Sequence, residues 1–114
     1  MHELSIAYSL IEQVEAAAAQ HGFQKVNQLH LLVGEWSGVD ADALRFCFPQ
    51  VSRGTCLMDS QLLITTQALK IQCLDCPHVC HIRFGSAVVC EKCGSGNCVV
   101  IEGKDLRIVD LDVD

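Results

Sequence analysis

The chain has 114 residues, of which 50% are hydrophobic, 19% are charged and only 5% are aromatic. This length predicts one small domain accompanied by a very small one, and the apolar content excludes a disordered tail protein. The formal net charge of −6 argues against nucleic acid and anionic lipid, since both are bound through Lys and Arg side chains. We therefore expect metal cations or other proteins as partners, with no nucleic acid and no membrane.

The count of eight cysteines is unusual for a chain of this length. A secreted disulfide scaffold would be the first interpretation of such a count. However, residues 1–7 lack the basic start and long apolar run of a signal peptide, and no window approaches the ~18 apolar residues of a membrane span. We therefore expect a cytoplasmic protein whose thiols are metal ligands or core residues.

The first part of the chain predicts a helix followed by a strand. Apolar residues recur at helical spacing over residues 4–20, and Gly22 is a plausible stop for that helix. Residues 25–33 then alternate between apolar and polar, which predicts a half-buried strand with Leu29, Leu31 and Val33 on its inner face. Residues 34–38 are predicted to form a turn.

A second helix is predicted to begin after Asp40, whose side chain can cap it. Val39 and Leu44 have the spacing of a hydrophobic staple, which supports the same start. Pro49 conflicts with a helix interior because it removes a hydrogen bond and clashes with the preceding turn. We therefore expect this helix to kink or end near Phe48.

Three further strands are predicted in the second half of the chain. Residues 61–71 are rich in Leu, Ile and Thr and predict one strand. Residues 99–102 and 106–113 predict two more, with a bulge or a change of neighbouring sheet between Ile108 and Leu111, where the apolar parity shifts. The elements together predict an α+β fold in which a small mixed sheet packs against two helices. We expect residues 1–70, completed by the last strand at 105–114, to form that unit, with a zinc-ribbon-like module inserted at 71–104.

The inserted segment carries two Cys-x-x-Cys motifs, with thirteen residues between the second and the third cysteine. Two such motifs can complete a closed tetrahedral site of four thiolates, which suits structural Zn(II). A rubredoxin-like iron site would use the same thiolates. A thioredoxin-like redox pair is disfavoured, because neither motif opens a helix after a strand. The predicted ligands are Cys73, Cys76, Cys90 and Cys93.

The remaining cysteines and nearby histidines are predicted to be non-ligands. Cys80 and Cys98 lie near the predicted site but fit the motif spacing worse than the chosen four. His78 and His81 could tune the site through hydrogen bonds to the ligands. Cys47 and Cys56 belong to the second helix and its exit, and they are expected to be small core residues.

The N-terminus offers a different set of metal donors. The bulky His2 side chain should hinder removal of Met1, so the terminal amine would stay beside the imidazole. The Met1 amine, the His2 amide and ring nitrogens and the Glu3 amide could surround one cation in a square plane, which suits Ni(II) or Cu(II) rather than zinc. The alternative is that His2 is an ordinary disordered terminal residue.

Several motifs follow one another along essentially the whole chain. They are Met1-His2-Glu3-Leu4-Ser5, Leu32-Val33-Gly34-Glu35, Gly38-Val39-Asp40, Leu44-Arg45-Phe46-Cys47-Phe48, Arg53-Gly54-Thr55, the four predicted zinc cysteines, and Leu106-Arg107-Ile108 with Leu111-Asp112-Val113. In this order they strongly resemble the nickel metallochaperones of the HypA/HybF type. The resemblance implies a nickel domain of α+β type and a separate zinc domain.

The resemblance also implies roles for individual residues and a function. His2 matches the family's essential nickel ligand, Glu3 its supporting neighbour, and Met1 the source of the amine. Asp40 matches a position proposed as an extra nickel carboxylate, although a helix cap explains it equally well. The implied function is delivery of Ni(II) for maturation of [NiFe]-hydrogenase, and in some organisms also of urease, through a companion GTPase, the hydrogenase large subunit and urease accessory proteins.

Two other classes of function were weighed against this one. A zinc-ribbon protein-interaction adaptor without a nickel role is the alternative, but the residues before Cys73 look too ordered for a mere appendage. An enzyme is not expected, because no nucleophile motif and no open zinc position is present.

Overall fold

The computed structural model describes residues 2–114, with side chains from Glu3 onward. The elements in chain order are α1 (His2–His21), β1 (Val26–Gly34), α2 (Ala41–Val51), β2 (Gln61–Gln67), β3 (Leu69–Cys73), β4 (Val79–Ile82), β5 (Cys98–Glu102) and β6 (Leu106–Val113). This arrangement confirms the predicted α+β class. Within the described part of the chain, neither helix combines the length and the apolar character that a membrane span requires.

The first sheet has the strand order β2-β1-β6 and is mixed, as expected. Its central strand β1 runs parallel to β2 and antiparallel to β6. The inner face of β1 presents Leu29, Leu31 and Val33, all buried, to side chains from α1 and α2. One residue of the predicted apolar stripe of α1 departs from this pattern, since Leu4 is exposed.

The predicted bulge in β6 is confirmed by its pairing with β1. His30 lies opposite Asp110, whereas the next residue of β1, Leu31, lies opposite Ile108. Val109 is therefore the extra residue, and it changes which side chains of β6 point toward the core. Both Ile108 and Leu111 can pack against the core because of this shift.

Helix α2 begins as predicted but ends later. The Asp40 carboxylate accepts hydrogen bonds from the backbone N–H groups of Asp42 and Ala43, which is the expected cap. The helix does not end near Phe48 but continues through Pro49 to Val51. Pro49 is tolerated because it lies in the last turn, where its missing N–H removes a single hydrogen bond and no helix follows for it to disrupt.

The second sheet has the strand order β4-β3-β5 and is antiparallel throughout. The single strand predicted over residues 61–71 is therefore wrong, since Ala68 separates β2 in the first sheet from β3 in the second. The uninterrupted run of strand-forming residues gave no sign of the change of sheet. The second core is small and consists of Leu69, Ile71, Cys80 and Ile82, with Trp36, Val88 and Cys98 packed against it.

Two glycines allow the backbones of the two sheets to meet closely. A side chain at Gly34 would place its Cβ 2.2 Å from the carbonyl oxygen of Gly103. Gly103 has a φ of +102°, and a Cβ there would lie 2.5 Å from the Cα of Leu69. The hydrogen bond from the Gly34 N–H to the Asp105 carbonyl (2.8 Å) and the bond from the Trp36 N–H to the Gly103 carbonyl (3.0 Å) join the same segments.

Candidate metal centres

The four predicted cysteines converge on one point between two turns of the second module. Their sulfur atoms all lie within 4.8 Å of one another. The Cys73 and Cys93 sulfurs are 3.6 Å apart, and the Cys76 and Cys90 sulfurs are 3.7 Å apart. A tetrahedron with metal–sulfur bonds of about 2.3 Å has edges of about 3.8 Å. The spacing of the sulfurs therefore fits a tetrahedral four-thiolate metal site.

The backbone around these cysteines prepares two of them as thiolates. The Cys76 N–H points at the Cys73 sulfur at 3.4 Å and is the main cause that lowers the pKa of Cys73. The Cys93 N–H does the same for Cys90 and contributes most to lowering its pKa to about 6. The Ser95 N–H would lower the pKa of Cys93, but the Cys73 sulfur and burial outweigh it and raise that pKa to about 12. The pKa of Cys76 is raised as well, so the pKa values of Cys73 and Cys90 are lowered whereas those of Cys76 and Cys93 are raised.

A carboxylate ties the two cysteine turns together. The Asp75 side chain lies in the first turn and accepts hydrogen bonds from the Ser95 hydroxyl and, at 3.3 Å, from the Asn97 amide. The Ser95 bond is the main cause that lowers the pKa of Asp75. Sequence reasoning missed these three residues, since only their position beside the cysteines distinguishes them from ordinary loop residues.

The cysteines and histidines predicted as non-ligands lie around the four-cysteine cluster. Cys80 is buried in the small core of the second sheet, and the Cys98 thiol donates to the Ser95 carbonyl at 3.4 Å. The His78 ring contacts the Glu91 carboxylate at 2.9 Å between Nε2 and Oε1. His81 is exposed on β4.

The fold brings together two of the residues that the resemblance assigns to nickel. The Glu3 carboxylate near the start of α1 accepts a hydrogen bond from the Asp40 N–H, with an Oε2–N distance of 3.2 Å. The Asp40 side chain meanwhile caps α2, so its structural role is confirmed. Cys47 lies in the same region, 3.9 Å from the Glu3 carbonyl oxygen. Met1 and the His2 side chain lie outside the described residues.

A shallow cleft connects the Asp40 region with the cysteine module. It is lined by Glu35, Trp36, Gly38, Val39, Asp40 and Phe84. The Trp36 and Phe84 rings pack edge to face, with their centroids 5.4 Å apart. The Trp36 indole nitrogen is buried without a hydrogen-bond partner among the described residues. The sequence pattern predicts Trp36 only as part of a turn, although a single Trp in a predicted loop is a signal that indicates such a contact.

Comparison with protein families and with relatives gives matches over essentially the whole chain. Residues 1–113 match the family model described as "Hydrogenase/urease nickel incorporation, metallochaperone, hypA". A hydrogenase maturation factor HypA from Syntrophus aciditrophicus is 41% identical, and the match covers 100% of both chains. Its namesake from Aeromonas salmonicida is 39% identical over 99% of both chains.

Solved structures agree with this result. A solution structure of HypA protein matches with a TM-score of 0.75 and 29% identity, covering 99% of this chain and 96% of that one. The solution structure of the Ni metallochaperone HypA from Helicobacter pylori matches with a TM-score of 0.72 and 28% identity, covering 97% and 96%. The matched family consists of metallochaperones and not enzymes, which confirms the expectation that this chain is not an enzyme.

Proposed function

Because the chain belongs to the HypA family of hydrogenase and urease nickel-incorporation metallochaperones, we propose that it binds Ni(II) and delivers it for maturation of a [NiFe]-hydrogenase. The observation that carries this proposal is the contact between the Glu3 carboxylate and the Asp40 N–H, 37 residues apart in sequence. It brings the first turn of α1, which follows Met1 and His2 in the sequence, together with the cap of α2. A second recipient system, urease, follows from the same family description.

The proposed nickel ligands are the Met1 amine, the nitrogens of His2 and the backbone of Glu3, with Asp40 as an additional carboxylate. A carrier needs a site that is accessible and releases its metal readily. A nitrogen-rich chelate at a chain terminus meets this requirement and suits Ni(II). Exposed Asp40 and half-buried Glu3 leave the region open to a partner, and the net charge of −6 attracts cations.

The proposed resident metal is Zn(II) at Cys73, Cys76, Cys90 and Cys93. The sulfur–sulfur distances of 3.6 and 3.7 Å support a closed tetrahedral site. The four buried residues of the second core supply little hydrophobic stabilisation, so a metal that links the two turns would add folding free energy to this module. Zinc would therefore support the module, whereas nickel would be carried elsewhere.

The proposed transfer surface surrounds the start of α1 and the cap of α2. It would be presented to the companion GTPase and then to the hydrogenase large subunit, or to urease accessory proteins, in the cytoplasm. Exposed side chains on the same two helices, Tyr8 in α1 and Phe46 in α2, offer apolar contacts of the kind that protein interfaces use.

The nickel proposal is tested by titrating untagged protein with Ni(II) beside a variant that carries one extra residue before Met1. We expect the extension and His2→Gln to remove the spectrum of square-planar, nitrogen-ligated Ni(II), because each destroys the terminal chelate. His21→Gln is the matched control, since it removes an exposed histidine from the other end of α1 and should bind nickel normally. Equal nickel spectra in all variants would overturn the proposed N-terminal site, and absence of nickel binding by the parent protein would favour the zinc-ribbon adaptor.

The zinc proposal is tested by metal analysis of Cys90→Ala. We expect this variant to lose bound zinc, while Cys98→Ala, which removes a neighbouring thiol outside the cluster, keeps one equivalent. Nickel binding retained by Cys90→Ala would support two independent sites, and its parallel loss would show that the sites are coupled. Full zinc content in Cys90→Ala would contradict the assigned ligands. A red colour of the parent protein would identify iron, and not zinc, as the metal of the cluster.

A further inference from the structure

Three potential ligands of different chemistry meet beside the four-cysteine cluster. One ligand atom from each of His78, Cys80 and Glu91 lies within 4.8 Å of the other two. The His78 Nε2 and Glu91 Oε1 atoms are 2.9 Å apart, whereas two ligands of a tetrahedral ion with bonds of about 2.0–2.2 Å lie about 3.4 Å apart, so a bound ion requires these two side chains to separate by about 0.5 Å. We propose that these three side chains form a second, open site for a divalent transition-metal ion.

Different segments of the backbone carry the three side chains. Cys80 lies on β4, where it pairs with Ile71 of the neighbouring strand. His78 stands two residues earlier, and its carbonyl accepts a hydrogen bond from the Cys73 N–H at 2.9 Å. Glu91 follows Cys90 in the second cysteine turn. Residues near both cysteine turns thus supply the three potential ligands. The fold that assembles the four cysteines also holds these three side chains together.

The donor set predicts which ions this site would take. One sulfur, one imidazole nitrogen and one carboxylate oxygen suit Zn(II), Co(II) or Ni(II), and they disfavour Mg(II) and Ca(II), which prefer oxygen ligands. Three protein ligands leave a fourth position for water, unlike the closed four-thiolate cluster. Cys80 is buried, but the side chains of His78 and Glu91 are 30% and 64% exposed, so an ion can reach the site from solvent.

A simpler explanation exists for part of this geometry. The His78–Glu91 contact alone could be an ion pair that holds the two cysteine turns together. The thiol distinguishes the two explanations, since an ion pair has no use for Cys80. A bound metal would create a metal–thiolate bond with its own optical absorption, whereas the ion pair would create none.

The experiment uses full-length protein with one equivalent of zinc and an extra residue before Met1, which removes the proposed terminal chelate. Co(II) is added as the probe while zinc retention is measured. We expect about one further equivalent of Co(II) to bind with thiolate-to-cobalt charge-transfer absorption. Absence of that absorption while zinc is retained would overturn the proposal.

Two variants locate the site. Cys80→Ser should abolish the charge-transfer band, and Glu91→Gln, which alters an exposed side chain, should weaken Co(II) binding by more than about tenfold. Cys98→Ser and Glu102→Gln are the matched controls, because they change a thiol and a carboxylate outside the triad, and both should behave as the parent protein. If Glu91→Gln and Glu102→Gln bind Co(II) equally, or Cys80→Ser keeps the band, the proposal is wrong.

Discussion

Trp36 and Phe84 pack edge to face across the junction of the two sheets, with ring planes at 61° and centroids 5.4 Å apart. Trp36 belongs to the loop after β1, and Phe84 follows β4 in the cysteine module. Both line the cleft that also contains Asp40. This pair is therefore one side-chain contact between the loop that leads to Asp40 and the cysteine module.

We expect Phe84→Ala to lower the free energy of unfolding by about 1 kcal/mol, the usual contribution of an aromatic pair. It should also change the fluorescence of Trp36, the single tryptophan of the chain, while zinc content stays unchanged. Urea denaturation followed by fluorescence measures both effects. Phe46→Ala is the control, since that side chain is 80% exposed. An unchanged emission spectrum in Phe84→Ala would contradict the contact.

Gly34→Ala should be strongly destabilising, because its Cβ would lie 2.2 Å from the Gly103 carbonyl oxygen and the backbones would have to separate. We expect a loss of about 3 kcal/mol or more in the free energy of unfolding. Gly96→Ala meets no atom within 4 Å and should change stability by less than about 0.5 kcal/mol. Thermal and urea denaturation of both variants checks the comparison, and equal stabilities would show that the close approach is unimportant.

Substitutions at Asp40 separate its cap role from its proposed nickel role. Asp40→Ala should lower the free energy of unfolding by about 1 kcal/mol, because two N–H groups of α2 lose their acceptor. Asp40→Asn should retain the cap, since Asn caps helices as well as Asp. We expect Asp40→Asn to weaken Ni(II) binding without loss of stability. Nickel affinity equal to that of the parent would leave Asp40 with the cap role alone.

Zinc binding at the cysteine cluster should become tighter as the pH rises. Zinc binds thiolates, and the pKa of Cys90 is lowered to about 6 whereas that of Cys93 is raised to about 12. Because the pKa of Cys76 is raised as well, zinc must displace protons from the cluster at neutral pH, and fewer of them as the pH rises. We expect the apparent zinc affinity to rise by roughly tenfold or more per pH unit between about pH 6 and 8.

Competition with a chelator of known pH dependence measures this slope. Cys98→Ser should give the same slope as the parent, since its thiol lies outside the cluster of four. An affinity independent of pH would contradict the assignment of a protonated cysteine to the metal-free cluster.

Local sequence signals predicted the elements whose cause is local. The apolar period predicted α1, the side chain of Asp40 predicted the start of α2, and the parity shift predicted the bulge at Val109. The spacing of two Cys-x-x-Cys motifs also predicted a cluster that the sulfur positions fit. The first three features each depend on residues within a few positions of one another. The cysteine cluster joins two distant segments, but each segment contributes a short motif that is recognisable by itself.

Local sequence patterns did not predict the features that depend on contacts between residues far apart in the chain. Residues 61–71 resemble a single strand in sequence. Ala68 divides them in the structure, because the residues before it pair with β1 and those after it pair with β4 and β5. The prediction at Pro49 used the free-energy cost of a proline in a helix interior. Pro49 lies in the last turn of α2, where that cost is small. The Glu3–Asp40 contact was not predicted, because nothing local relates the two residues, and only the family resemblance assigned both to one nickel site.

The position of β6 in the chain has a consequence for protein synthesis. β1 pairs with β2 along one edge, but its other edge is covered only by β6, which follows the whole cysteine module. On the ribosome, the module must emerge before the first sheet can gain its third strand. Until then, β1 carries an unpaired edge that can pair with another chain. Metal loading of the module before β6 emerges would order the intervening segment, so that β6 could pair with β1 soon after its synthesis and the unpaired edge would be exposed for a shorter time.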